Sequence, residues 1–170
     1  MFSVDIGVVN FAFCILDRSG ESVRVVACEN RKICDFKGTK DYVAMCGTVF
    51  DFFAEYVPRA RWAEGLVDLV IERQMKATIM RIFAVSLEVA WSYETGARAH
   101  VISPSRVKRY FGTSKGNYKG NKNAAIQLMP VICRKYPHIR GTWLKICTKH
   151  RKIDDYADCL IQGVFFIESM

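Results

Sequence analysis

The chain opens by laying down a sheet. "FSVDIGVVNFAFCILDRSGESVRVVACEN" reads as three strands in succession, Phe2 to Val9, Phe11 to Leu16 and Ser22 to Cys28. The third carries the β-branched residues Val23, Val25 and Val26, which suit a pleated surface. "DRSGE", between the second and third, has the composition of a tight turn. Strands joined by connections this short pair antiparallel. A sheet begun in this way needs later segments to cover its faces.

From Tyr42 onward the chain alternates helix and strand. Tyr42 to Tyr56 places Val43, Cys46, Val49, Phe50 and Phe53 at helical spacing, and Pro58 ends it. "LVDLVIERQ", Leu66 to Gln74, has the apolar density of a buried strand. Lying between two helices, it is predicted to run parallel to the first strand. Met75 to Trp91 is predicted to be a long helix with apolar residues on more than one face (Ile79, Ile82, Phe83 and Leu87, but also Met80, Val85 and Val89), the pattern of a helix that is buried or meets a partner. Ala97 to Ser103 is a further strand, stopped at Pro104, with a short helix behind it. Gly112 to Lys122 reads as a flexible loop, and Lys122 to Tyr136 as a helix interrupted or kinked near Pro130. One short helix is expected around Trp143, and a closing helix from Asp154 to Glu168. The prediction is a single α/β domain over residues 1–170, a mixed sheet flanked by helices.

With 51% hydrophobic residues among 170, the chain can bury a substantial core. No apolar run is long enough for a membrane span, and a strand starting at Phe2 leaves no room for a signal or transit peptide. Seven cysteines without paired spacing read as reduced thiols, so an intracellular setting is expected. Between Thr95 and Ile153 there are fourteen Lys and Arg and no Asp or Glu, whereas the remainder holds eleven basic and seventeen acidic residues. Clustered cations of this kind suit a polyanion, because neutralising phosphates releases counterions. A generic basic surface is the plainer explanation of the same pattern.

The acidic residues are placed less plainly. Asp5 interrupts an apolar strand, where an unpaired carboxylate is costly. Glu72 ends another apolar strand, and open sheets gather functional groups at the carboxyl ends of parallel strands. In "KIDDYADCLI", Asp155 and Asp158 share a helix face at i, i+3, with Asp154 and Asp158 at i, i+4. Taken singly, each has a structural explanation: Asp154 or Asp155 as a helix cap, Asp5 paired with an arginine, Glu72 paired with Arg73 or Lys76. Taken together they resemble a site for hard divalent cations, which favour oxygen ligands. Two such ions can activate an attacking water and stabilise the leaving oxygen of a phosphodiester.

"SVDIGVVNFAFCILD", "LVIERQ", "HVISPSRVKRYFG", "YKGNKNAAIQLM" and "HRKIDDYADCLIQG" resemble, in order and spacing, the Holliday junction resolvases of poxviruses and related large DNA viruses, relatives of bacterial RuvC. The likeness runs over nearly the whole chain, and "ERQ" with "DDYAD" is its most specific part. It implies a ribonuclease H-like fold with a five-stranded sheet in the order 3-2-1-4-5, and a homodimer. It also implies cutting of four-way DNA junctions with Mg²⁺ or Mn²⁺, two ions per site, to leave 5′-phosphate ends during viral recombination and concatemer processing. Carried over, the metal ligands are Asp5, Glu72, Asp155 and Asp158, with Asp154 in support. Lys122 corresponds to a lysine at the scissile phosphate, with Lys115 and Lys119 close by. DNA contacts are expected from Arg73, Lys76, Lys108, Arg109, Lys115, Lys119, Lys122, Arg151 and Lys152. Residues 135–149 depart from the viral pattern, which leaves contacts from Tyr136, Trp143 or Lys145 open. Viral members would act in the host cytoplasm, at sites of viral replication.

Other readings compete with this one. A ribonuclease H-fold nuclease for flaps or RNA–DNA hybrids would share both fold and ligands. A branched-DNA-binding module without catalysis would have no use for clustered carboxylates. "DIGVVN" also resembles the phosphate loop of actin-like ATPases, which need two such domains. No glycine loop for phosphates and no dinucleotide fingerprint is present, so no nucleotide cofactor is expected. Cys133, His138, Cys147 and His150 fit no zinc-finger spacing. Tyr110, Phe111 and Tyr118 are candidates for stacking on opened bases, against the commoner role of core aromatics.

Overall fold

A computed structural model describes residues 1–7, 9–34, 41–62, 64, 67–74, 78–115 and 117–170, apart from the side chain of Tyr118. The strands are β1 (Phe2–Asp5), β2 (Phe11–Ser19), β3 (Ser22–Arg31), β4 (Leu69–Glu72) and β5 (Ala99–Ile102). They form one sheet in the order β3-β2-β1-β4-β5. The β1–β2 and β2–β3 pairs are antiparallel, and β1–β4 and β4–β5 are parallel. Gly20, at φ 58°, makes the tight turn that sets Ser19 opposite Ser22.

Among the described residues, six α-helices cover the sheet: α1 (Tyr42–Ala54), α2 (Thr78–Thr95), α3 (Pro104–Tyr110), α4 (Tyr118–Lys135), α5 (Pro137–Lys149) and α6 (Asp154–Ser169). Alternation along the strands separates two cores. Phe2, Val4, Leu69 and Ile71 point toward α1 and α2, where Phe2 stacks on Phe53 and meets Trp62 and Trp91 edge-on. Val70, Ala12 and Cys14 point the other way, toward α4, α5 and α6.

Helix α6 is clamped directly over β1. Ser3 Oγ donates to the carbonyl of Cys159 (2.9 Å), and Cys159 Sγ donates back to the carbonyl of Ser3 (2.9 Å). Gln162 Nε2 reaches Ser3 Oγ, Val4 O and Val70 O at 3.1, 3.1 and 3.2 Å, tying the helix to both parallel strands. At Gly163 a Cβ would lie 2.6 Å from Leu16 Cδ1 and 3.2 Å from Ser3 Cβ, so a side chain there would displace Leu16 and press on Ser3. Gln162→Leu is expected to lower the unfolding free energy by about 1–3 kcal/mol in urea titration, because it strips buried carbonyls of their donor.

Several boundaries differ from the sequence expectations. β1 ends at Asp5 rather than Val9, and α4 begins at Tyr118. Lys122 therefore stands on a helix, not in a loop. Asn117 caps that helix by accepting from Gly120 N, and Asn121 Oδ1 accepts from Lys115 N, so side-chain amides order what reads as a Gly/Lys loop. Pro130 is exposed and lies inside α4 without ending it. The short helix expected around Trp143 is the thirteen-residue α5, which buries Ile139, Trp143 and Ile146. Neither Asp154 nor Asp155 caps α6; its N-cap is Ile153, with no side-chain bond. No helix among the described residues is long and apolar enough to cross a membrane.

Candidate active site

The carboxylates converge where the sheet and α6 meet. Val4 pairs with Ile71 in the parallel β1–β4 ladder, so the next step of the register sets Asp5 beside Glu72, at the carboxyl ends of adjacent strands. Both residues fall on the α6 face by alternation. The α6 clamp brings the first turn of that helix over the same ends. Asp5, Glu72, Asp155 and Asp158 line one pocket of about 300 Å³, together with Gly7, Asn10, Lys108, Asn121, Lys122 and Lys152.

The acids fall into two groups. Among the described residues, no hydrogen bond or ion pair reaches the carboxylates of Asp5, Glu72 or Asp158. The explanation of Asp5 and Glu72 as ordinary ion-paired side chains therefore fails for the described residues; Lys76, expected from the sequence as a partner and DNA contact, lies outside them. Burial pushes Asp5 up to about 6, with the Asp155 carboxylate adding to the effect. Burial likewise raises Glu72 to about 8, with Asp5 and Asp158 contributing, and Asp158 to about 7, with Asp5 contributing.

Asp154 and Asp155 are instead neutralised. Lys122 Nζ donates to Asp154 Oδ2 and, at 3.2 Å, to Asp155 Oδ1. Lys152 Nζ (2.7 Å) and Asn30 Nδ2 (3.1 Å) donate to Asp155 Oδ2. Burial opposes ionisation of Asp155, but the hydrogen bonds from Lys152 and Lys122 outweigh it and hold its carboxyl below the ordinary value.

This donor set fits divalent cations. Among the described residues no three His, Cys, Asp or Glu side chains close around one point as a ready-made cage. Mg²⁺ does not require one, since it keeps several waters and takes one or two carboxylates plus substrate phosphates. The hard oxygen donors, the repulsion between them and the room for hydrated ions all suit such a cation. Asp5, Glu72, Asp155 and Asp158 are the residues that would hold it.

The basic residues divide as well. Lys108, Lys122 and Lys152 line the pocket, and Lys108 and Lys122 partly offset the repulsion at Glu72 and Asp158. Lys115, Lys119 and Arg109 are exposed and do not line it, which singles out Lys122 among the three neighbouring lysines; Arg73 is exposed beside Glu72. Arg151 lines an adjoining groove with Arg31, Lys32 and His150, and that groove shares Asn10 and Lys152 with the acidic pocket. Tyr110 is engaged elsewhere: its hydroxyl donates to Glu168 and its ring packs edge-on against Phe165. Tyr136 is buried and donates to the other Glu168 oxygen, and Trp143 is buried; Lys145 is exposed. The stacking expected of Tyr118 falls on a side chain outside the described residues.

Asn10, Asn30 and Asn121 were not anticipated as site residues. Neutral amides carry no charge signal; Asn10 and Asn121 line the pocket, and Asn30 lines the adjoining groove and donates to Asp155.

A mixed sheet in the order 3-2-1-4-5, with an acidic helix crossing its parallel strand ends, defines the ribonuclease H-like class. Solved structures of viral and bacterial Holliday junction proteins share this fold. The fowlpox virus resolvase in complex with substrate Holliday junction DNA superposes with a TM-score of 0.70 at 20% identity, covering 99% of this chain and 96% of that one. Thermus thermophilus RuvC gives a TM-score of 0.61 at 13% identity, with 99% and 96% covered. The same protein in complex with a Holliday junction substrate also gives 0.61 at 13%, with 99% and 94% covered. No protein-family model and no curated protein matches the sequence.

Proposed function

We propose that this chain is a divalent-metal-dependent endonuclease that resolves four-way DNA junctions by paired, symmetric nicks. The observation that carries the proposal is a set of three partly buried carboxylates without a partner among the described residues, drawn from two strands and a helix into one lysine-rimmed pocket. A module that only bound phosphate would gain nothing from them. Bound ions, two per site, Mg²⁺ or Mn²⁺, would neutralise charge on the scissile phosphate and lower the pKa of an attacking water. Lys122, on the first turns of α4, would meet developing phosphate charge without transferring a proton. In-line attack would leave a 5′-phosphate and a 3′-hydroxyl.

The DNA strand would run from the pocket into the adjoining groove, where Lys32, Arg151 and Lys152 stand with Arg31, itself paired with Glu29 and Glu55, and no carboxylate lines the wall among the described residues. A homodimer fits the need for two opposed cuts, because a two-fold axis supplies two equivalent sites. Its seam would be the outer face of α2, where Ile79, Ile82, Val85, Val89 and Tyr93 are exposed at helical spacing. By its likeness in fold to the poxvirus enzyme, we assign the activity to the processing of viral recombination intermediates and concatemers at cytoplasmic replication sites.

The test is incubation with Mg²⁺ or Mn²⁺ and a synthetic four-way junction, beside duplex, flap and RNA–DNA hybrid controls. Paired nicks that ligase can reseal, on the junction alone, are expected. Preferential cutting of hybrid or flap would keep the metal site and move the substrate. Tight junction binding without any cutting would leave a binding module.

A further inference from the structure

We infer that Asn30, at the end of β3, is a positioning residue that fixes Asp155 from the sheet side and so sets the geometry of the metal site. The inference rests on the metal-dependent reading above. In the register, Asn30 pairs with Ala12 and Ala12 with Asp5, and continuing the β1–β4 register one step beyond Val4–Ile71 sets Glu72 beside Asp5. Residues directly opposite one another share a face of a sheet. Asn30, Ala12, Asp5 and Glu72 therefore form one row beneath the start of α6. Ala12, in the middle of this row, is small and fully buried, so the row dips between the amide and the acids.

Asp155 is held across that row. Its Oδ2 accepts from Asn30 Nδ2 (3.1 Å) and from Lys152 Nζ (2.7 Å), while its Oδ1 is met by Lys122 Nζ at 3.2 Å. The two donors to Oδ2 differ in kind. Lys152 sits three residues before Asp155 on the same segment and is half exposed, so solvent and substrate phosphates compete for it. Asn30 belongs to a strand paired along its length with β2, and its amide neither titrates nor adds charge. A carboxylate there would deepen the repulsion, and a second lysine would compete with a cation. With Oδ2 anchored by an amide, Oδ1 can exchange the Lys122 ammonium for a metal ion without the side chain rotating. Partners of this kind, one shell out from the ion, orient a ligand and typically govern affinity by about 10- to 100-fold.

The test uses the full chain with Asn30→Ala and Asn30→Leu, the second keeping side-chain volume without a donor. Mn²⁺ binding is measured by calorimetry, alongside melting in EDTA, junction affinity without metal, and the Mg²⁺ concentration for half-maximal cutting. Both variants are expected to bind Mn²⁺ about 10- to 100-fold more weakly and to need correspondingly more Mg²⁺. Melting in EDTA should stay close to wild type, so that the loss of Mn²⁺ affinity reads as a change at the metal site rather than in the fold. Unchanged Mn²⁺ affinity in either folded variant overturns the assignment, as does an affinity loss that tracks a drop in melting temperature. Failure of the wild-type chain to bind Mn²⁺ would instead remove the metal-dependent reading on which the inference stands.

Discussion

Asp158→Asn and Asp5→Asn are each expected to slow junction cutting by about a thousandfold or more, while junction binding in EDTA holds or tightens. The separation arises from what these two side chains lack. Neither carboxylate accepts a hydrogen bond or ion pair among the described residues, so replacing an oxygen by an amide breaks no fold contact there. It also removes a negative charge from a surface that must receive phosphates, which lowers repulsion toward DNA. What is lost is an anionic ligand at the point where cations would gather. Asp155 would make a poorer test, because Asp155→Asn would also disturb the bonds to Asn30, Lys122 and Lys152. Single-turnover cleavage and gel-shift titration of the same preparations give the two readouts. Loss of binding together with cutting would mean that these residues hold the fold, and the reading of the pocket as a metal site would fail.

The strands were legible because their signals are local. Apolar runs, a turn of the right composition and a proline stop fixed the element order, and a helix between strands implied the parallel neighbour. The acids were legible for the opposite reason: Asp5 and Glu72 stand out against apolar strands, and Asp155 and Asp158 repeat at helical spacing. Where the sequence misled, polar side chains supplied structure that hydrophobic periodicity does not record. Asn117 and Asn121 order the start of α4, and so carry Lys122 onto a helix. Asp154 and Asp155, for which a helix cap was the plain structural alternative, are drawn instead to lysines distant in sequence or across the turn. Gln162 and Gly163 give no hint of function in one dimension, yet they set the distance between α6 and the sheet on which the pocket depends. The Asn30–Ala12–Asp5 row exists only once the strands are in register.

In the absence of divalent cations, stability is expected to fall by several kcal/mol as the pH rises from about 5 to 8. The carboxyls of Asp5, Glu72 and Asp158 stand at about 6, 8 and 7 in the folded chain, raised first by burial and then by one another. In the unfolded chain they return to about 4. Between those limits the folded state binds more protons than the unfolded one, so the slope of unfolding free energy against pH is negative. Their contribution is fully present below the unfolded value and is lost as each folded value is passed. Raising one carboxyl pKa tenfold in proton affinity corresponds to about 1.4 kcal/mol, and because the three groups repel one another they titrate together rather than additively. Asp155 runs the other way, since its lysines hold its carboxyl low; its contribution is lost only on acidification below the window. Urea midpoints in EDTA at pH 5 and pH 8 would measure the slope, with Glu72→Gln as the comparison. The Glu72→Gln chain should show a flatter profile and exceed wild type at pH 8. Mg²⁺ should restore the wild type at pH 8 and do less for the variant. A variant less stable than wild type at pH 8 would mean that the Glu72 carboxylate is held by favourable contacts. The expected gain carries the opposite meaning: the repulsion that weakens the metal-free fold is the same repulsion that draws cations into the pocket, so stability and metal affinity are set against each other by the same side chains.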